Sequence, residues 1–253
     1  MTDQSRTTVW SNGLGTQSAA VAVLIAAGQL PAPAIAITAD TSRERPESWD
    51  YANAYIFPLL RKLGVQIEIA SHKLATVDLY GKNGDLLIPA FTAGGKGKLP
   101  TLCSNEWKRR VVMRHLRQLG YGPDQAVELW LGITRDEAHR MKTSDVQWMS
   151  HRYPLAMELR MSKHDAIAVV ERFGWPTPPG SYCYMCPHMR DNEWREIRAN
   201  PVAWLQAIHA DQQITASHGL YVHRSGVPLM NAEIDTEKPA AWFDGCDSGI
   251  CEF

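Results

Sequence analysis

Between residues 7 and 70 the apolar residues fall into short blocks separated by polar, glycine-marked and proline-marked breaks. Thr7–Trp10, Ala34–Ile37 and Val65–Ala70 are short and β-prone. Gln17–Ala27 and Glu47–Leu63 have helical length and spacing. Alternating strands and helices of these lengths predict right-handed βαβ units on a parallel sheet. Pro46 suits the first turn of the second helix and Gly64 its C-terminal cap. Further along, Val127–Leu131 reads as a fourth strand. Val111–Leu119, Ala166–Phe173 and Asp191–Ala216 carry helical patterns. In the last of these, Trp194, Ile197, Trp204 and Ile208 fall on apolar positions and read as packing, with base stacking by the tryptophans the minority reading. The pattern predicts an α/β, Rossmann-like, doubly wound and mainly parallel five-stranded sheet flanked by helices. It divides the chain into a domain over 1–160 and a helical extension over 161–253.

From Asp78 to Pro100 the periodicity disappears, and five glycines alternate with Lys82, Lys96 and Lys98. Two readings stand there, a surface excursion and a basic lid or phosphate-contacting arm.

Bulk composition narrows the function classes. A chain of 253 residues with 45% hydrophobic content can bury a substantial core. Lys+Arg 26 against Asp+Glu 27 gives a net charge of −1, so there is no global basic field of the kind a nucleic-acid coat protein needs. Met1–Arg6 lacks an apolar signal core, and the longest apolar run, Ala19–Ala27, is short of the roughly 20 residues that span a bilayer. A cytoplasmic protein without membrane contact is therefore expected. In a reducing compartment its five cysteines read as ligands or redox groups rather than structural disulfides.

The chemistry-bearing stretches follow the strand ends. Ser11-Asn12-Gly13-Leu14-Gly15-Thr16-Gln17-Ser18 leads from the first strand directly into an Ala/Val-rich helix, an arrangement that holds anions on free helix N–H groups. Gly13 and Gly15 are expected to take positive φ, and Ser11, Thr16 and Ser18 to offer hydroxyls to phosphate oxygens. No Gly-Lys-Ser/Thr follows, so this is not the Walker pattern, and a glycine turn without a ligand reads the same stretch as well. Asp40 and Thr41 end the second strand, where a ribose or Mg²⁺ would sit. Cys103 precedes Lys108-Arg109-Arg110, three cations expected on the first turns of a helix, where they oppose its dipole and suit an anion better. Arg135 and Arg140 follow the fourth strand. A Pro-rich turn introduces Cys183 and Cys186, two thiols that can chelate one metal or occupy two corners of a cluster. Cys246 and Cys251 stand in the last residues of the chain.

Taken together these stretches resemble the adenine-nucleotide-binding fold shared by phosphoadenosine-phosphosulfate (PAPS) reductases and PP-loop ATP pyrophosphatases, in its cluster-bearing branch. The resemblance rests on Asp40-Thr41-Ser42 with Pro46-Glu47-Ser48, on Cys103 with Lys108, on Arg135 and Arg140, on Tyr153-Pro154-Leu155, and on the Cys183/Cys186 pair. It covers roughly residues 7–198 and implies the fifth strand at His151-Arg152-Tyr153-Pro154-Leu155.

The resemblance implies ATP, or adenylylsulfate, with Mg²⁺, bound by Ser11, Gly13, Gly15, Thr16, Gln17, Ser18, Asp40, Thr41, Arg109 and Arg140. Asp40, Lys108, Arg135 and Cys251 are the implied catalytic residues. Cys103, Cys183 and Cys186 are the implied ligands of a four-iron four-sulfur cluster. The implied activity is adenylation of an acceptor, DNA or tRNA among the candidates, followed by sulfur transfer from a donor such as a cysteine desulfurase. Reduction of adenylylsulfate or PAPS to sulfite with a thioredoxin-like reductant is the alternative. Two departures bear on it: Ser104 stands where the cluster-bearing reductases have a second cysteine, and the tail lacks their Glu-Cys-Gly-x-His sequence. A third reading is a non-catalytic module stabilised by zinc on the same cysteines with His188. A homodimer fits any of the three.

Overall fold

The computed structural model describes residues 6–71 and 78–234. Its sheet contains β1 (Thr7–Ser11), β2 (Ile35–Asp40), β3 (Gln66–Ser71), β4 (Val127–Leu131) and β5 (Met149–Arg152), in the order β3-β2-β1-β4-β5. All four pairings are parallel. This is the expected α/β fold with an all-parallel sheet flanked by helices. β1 is central, paired to β2 through Val9↔Ile35 and to β4 through Trp10↔Trp130. The chain winds outward from β1 to β3, then returns to the other side of β1 for β4 and β5. The reversal lies between β1 and β4, so the crevice that such sheets open at their carboxyl edge is flanked by the segments after those two strands.

α1 (Thr16–Ala26) is buried along nearly its whole length, which is why its sequence is Ala, Val, Leu and Ile on every face. The second helical stretch is α2 (Pro46–Tyr51), a π-helical turn Ala52–Ile56 and α3 (Phe57–Lys62) in continuous right-handed helical backbone. Pro58 explains the widened turn: it has no N–H to give and its ring would collide with the carbonyl one turn back. α4 (Arg110–Gln118) is likewise preceded by a π-helical segment, Ser104–Arg109. Lys108–Arg110 therefore stand beyond the first turn rather than on it. α5 (Lys163–Arg172) starts from Ser162, whose side chain and that of Asp165 form a reciprocal capping box.

Two compact units divide the chain differently from a cut at 160. The first comprises Met1–Asp40, Pro46–Ser71 and Lys108–Ser181, the second Thr41–Arg45, His72–Trp107 and Tyr182–Phe253. The first unit's core gathers Trp10, Leu24, Ile56, Leu60, Trp130, Leu155 and Val170 around α1.

The second unit contains α6 (Asp191–Ala199) and α7 (Pro201–His218), and its core includes Leu79, Leu86, Ile88, Trp107, Met185, Trp194 and Ile214. The glycine-rich stretch expected as a lid or excursion thus supplies core residues. Phe91 exchanges backbone hydrogen bonds with Tyr221 at 2.7 and 2.9 Å. Gly95 and Gly226 take φ of 68° and 65° where their backbones approach one another so closely that a side chain on either would strike main chain. Asp211 accepts the backbone N–H of Val222 at 2.9 Å and of Leu229 at 2.7 Å, pinning the chain after α7. Among the described residues no helix is long and apolar enough to cross a membrane.

His223 gives this unit a pH signature. It is 2% exposed, with Nδ1 2.7 Å from Ser225 Oγ and Nε2 3.4 Å from Asp191 Oδ1. Burial holds its pKa below the ordinary histidine value; the Asp191 and Asp211 carboxylates oppose that shift and Arg224 adds to it. In the unfolded chain the ring takes up a proton near pH ~6.5, whereas the folded ring resists it. Stability is therefore full above that pH and declines as pH falls below it, because the unfolded state then binds more protons. Thermal melts between pH 7.5 and 5.5 are expected to show a falling melting temperature, with a shallower slope in His223→Gln. Equal slopes would mean that other groups carry the dependence.

Candidate functional site

The loop after β1 is braced from within. Gly13 donates its N–H to Ser18 Oγ at 2.9 Å, and Asn12 Oδ1 accepts the Leu14 N–H at 3.1 Å. Leu14 takes φ 64°, so the left-handed position falls on this residue and on neither glycine. The local Asn12 turn and burial of the Leu14 side chain in the core offset the ~1 kcal/mol or more that such backbone costs. Gly15 is needed for space: a Cβ on it would meet Ser181 Cβ at 3.1 Å. Ser181 also donates its hydroxyl to the Gly13 carbonyl at 2.6 Å.

This bracing leaves the N-terminus of α1 open. Gly15 caps it in extended backbone with no side-chain hydrogen bond, and no acidic residue occupies the first turn. Thr16 and Ser18 are buried at 6% and 4% exposure, while Ser11, Gly13 and Gln17 are half-buried. Beside them Asn12, 2% exposed, has its Nδ2 shielded and without a partner. Because Oδ1 already accepts the Leu14 N–H, the amide is oriented and the orphan atom is a donor.

From the other side of the strand-order reversal comes Gly132, where a Cβ would approach Gln17 Cβ to 3.3 Å. The 3₁₀ turn that follows carries a buried polar cluster. Glu137 Oε1 accepts Arg140 Nη1 at 2.7 Å. Its Oε2 accepts the Thr134 hydroxyl and Gln17 Nε2, both at 3.1 Å. Gln17, expected to face a ligand, thus ties the start of α1 to this turn, and Arg140 is committed to a carboxylate. Arg109 is paired with Asp145, and Lys108 is half-buried. Arg135 is exposed. Arg109 and Arg140, expected to converge on phosphate, are thus engaged by carboxylates. Asp40, half-buried, ends β2 with Ser71 beside it in register.

Cys103, Cys183 and Cys186 all belong to the second unit and to one apolar cluster, and none is in a disulfide. Thr41–Arg45 pairs with the start of the Cys-x-x-Cys segment: Arg45 donates its N–H to the Tyr182 carbonyl, Tyr184 donates to the Arg43 carbonyl, and Glu44 bridges Cys183. Arg45, 7% exposed, bonds the Tyr182 hydroxyl and, at 2.6 Å, Glu196. Burial raises the pKa of Tyr182 and of Tyr184. Cys186 turns back to donate its N–H to the Cys183 carbonyl at 3.0 Å.

A single metal ion needs its ligand atoms within roughly 2.0–2.3 Å of one point. Among the described residues no group of three or more His, Cys, Asp or Glu is arranged to hold one. His188 is engaged otherwise, with Nδ1 3.3 Å from Lys98 Nζ and Nε2 3.1 Å from Thr101 Oγ1. His188, a donor in the zinc reading, is thus held at both ring nitrogens by other side chains. Cys246 and Cys251 lie outside the described residues.

Sequence reasoning passed over Asn12, Glu137 and Ser181. Glu137 and Arg140 stand at the i, i+3 spacing of a helical ion pair, a signal open to reading. Nothing local connects Ser181 with Gly13, 168 positions away.

A scan against protein-family models finds no match, and neither does a search of curated proteins. Among solved structures, the phosphoadenylyl-sulfate (PAPS) reductase of Candida auris, solved as a phosphate complex, is similar over 69% of this chain and 76% of that chain. The TM-score is 0.47 at 12% sequence identity.

Proposed function

We propose that the chain is an adenine-nucleotide-dependent enzyme of the PAPS reductase/ATP pyrophosphatase type, and that the nucleotide's phosphates lie on the N-terminus of α1. The observation that carries this reading is the pairing of an uncapped helix N-terminus with the shielded, unpartnered Nδ2 of Asn12. Both stand beside the point where the strand order reverses. Free N–H groups and a helix dipole favour an anion, and an orphan buried donor lacks only the acceptor a phosphate oxygen would supply.

The reaction class follows from the resemblance of the strand-end motifs. An acceptor oxygen attacks the α-phosphate of ATP, the bond to the β-phosphate bridging oxygen breaks, and pyrophosphate leaves. A sulfur nucleophile then displaces AMP from the adenylated acceptor. In this scheme the loop from Ser11 to Ser18 positions the phosphates and Asp40 would hold Mg²⁺, which when bound neutralises charge on the leaving pyrophosphate. In this scheme Arg135 stabilises charge developing at the transferred group.

Calorimetric titration of ATP and of adenylylsulfate separates this from a ligand-free turn. The wild type is expected to bind at least one of them, and Ser18→Ala/Asp40→Ala to bind it at least about tenfold more weakly, as loss of ~1.4 kcal/mol or more implies. Unchanged affinity in a folded double variant refutes the site.

A further inference from the structure

We infer that the second unit holds an oxyanion at Arg190, the residue that precedes the first turn of α6. Arg190 Nε and Nη2 are both shielded from solvent and neither has a hydrogen-bond partner. Those two N–H groups form the edge of the guanidinium that takes two oxygens of a phosphate, sulfate or carboxylate side by side. Arginine does not give up its proton in a protein, so its burial is not relieved by neutralisation.

The carboxylates of α6 are engaged elsewhere. Asp191 accepts Arg224 Nη2 at 2.6 Å and faces His223 Nε2 at 3.4 Å. Glu193 accepts the backbone N–H of Arg190 at 2.7 Å. Glu196 accepts the Tyr182 hydroxyl at 2.8 Å and Arg45 at 2.6 Å. Four residues beyond Arg190, Trp194 donates its backbone N–H to the Arg190 carbonyl at 2.9 Å. Trp194 is fully buried, and its Nε1 is also shielded and unpartnered. Both donors on the edge of the guanidinium thus lack an acceptor, and so does the indole N–H four residues on. Desolvated donors in this state call for a ligand that brings several lone pairs and negative charge together, which an oxyanion does.

This site involves no residue of the loop at α1 and rests on no part of the nucleotide reading. Inorganic phosphate and sulfate are titrated calorimetrically into the full chain, into Arg190→Lys and Arg190→Met, and into Ser18→Ala/Asp40→Ala. A short single-stranded oligonucleotide forms a further arm. The wild type is expected to bind a free anion or the oligonucleotide, and Ser18→Ala/Asp40→Ala to keep the part of that binding which the Arg190 variants lose. Both Arg190 variants are expected to bind about tenfold or more weakly, because lysine keeps the charge but loses the two-pronged edge. Binding of the free ions supports a small-anion site, and binding of the oligonucleotide alone supports a phosphodiester source. Without anion, Arg190→Met is expected to melt no lower than the wild type, since it removes two shielded donors that lack an acceptor. Equal affinities across wild type and both Arg190 variants overturn the site. So does a wild type that binds none of the probes, and lower melting of both Arg190 variants then marks a purely structural arginine.

Discussion

Glu137→Ala is expected to lower the melting temperature by about 6–20 °C. The range combines the ~3–5 kcal/mol of breaking a buried ion pair from one side with ~2–4 °C per kcal/mol for a chain of this size. Glu137 and Arg140 are 6% and 8% exposed, and both carboxylate oxygens are in use, one by Arg140 and the other by Thr134 and Gln17. Truncation strips a buried guanidinium of its carboxylate and leaves a buried hydroxyl without its acceptor, two of the mechanisms that produce large destabilisation. A pair such as Arg152–Glu158, at 26% and 39% side-chain exposure, sets the contrast. Glu158→Ala is expected to cost ~1 kcal/mol or less despite the short 2.6 Å contact, because water screens it. The double variant Glu137→Ala/Arg140→Met should recover part of the loss, since removing both charges removes the unpaired one. Calorimetric melts of the three variants check this, and a Glu137→Ala melting point within about 2 °C of wild type would show that the cluster does not hold the turn after β4 to α1.

The elements of the first unit were legible because burial imposes a period. Val127–Leu131 is a strand at the bounds its apolar run predicts, and β1 extends Thr7–Trp10 by Ser11 alone. Where polar residues occupy element ends, the reading slipped. The helix before β4 starts with the π-helical segment at Ser104 because Trp107 anchors that turn in the second unit's core, while the cations at 108–110 suggested a later start. β5 stops at Arg152 because Pro154 opens a new helical turn through Glu158. The order of the strands was not legible at all. Which side of β1 receives β4 is decided by packing between residues over a hundred positions apart, and that order sets the crevice at β1/β4. The second unit was hidden for a related reason. Leu79, Leu86 and Ile88 show no period because they pack as loop, and Thr41–Arg45 joins them by backbone bonds to a segment 137 or more positions away. At the candidate site, the glycines and hydroxyls were read as ligand contacts by residue type. The structure shows that part of that chemistry braces the loop, with Ser18 accepting Gly13 and Gln17 holding Glu137.

That bracing makes Gly15→Val the substitution with the largest expected effect on the proposed nucleotide site. A Cβ at 3.1 Å from Ser181 Cβ is already tight, and valine adds two methyl groups on backbone that forms the N-cap of α1. The loop must move away from Ser181, and the 2.6 Å bond from its hydroxyl to the Gly13 carbonyl goes with it. A phosphate held by several N–H groups of one turn loses more than one contact when that turn shifts. Two charge-assisted hydrogen bonds at ~1.5–3 kcal/mol each correspond to a loss of ATP affinity of about 100-fold or more. Gly132→Val is expected to act in the same direction from the β4 side, through Gln17 Cβ at 3.3 Å, and to be milder because it reaches the first turn through a side chain. The backbone at Gly15, φ −97° and ψ −166°, is open to any residue, so the loss is one of space rather than of conformation. Gly15→Ala is therefore expected to fall between wild type and valine. Titration calorimetry beside thermal melts decides it: affinity that falls stepwise from glycine to alanine to valine while cooperative unfolding persists places the phosphates on this turn. Affinity indifferent to side-chain size in folded variants places the nucleotide elsewhere.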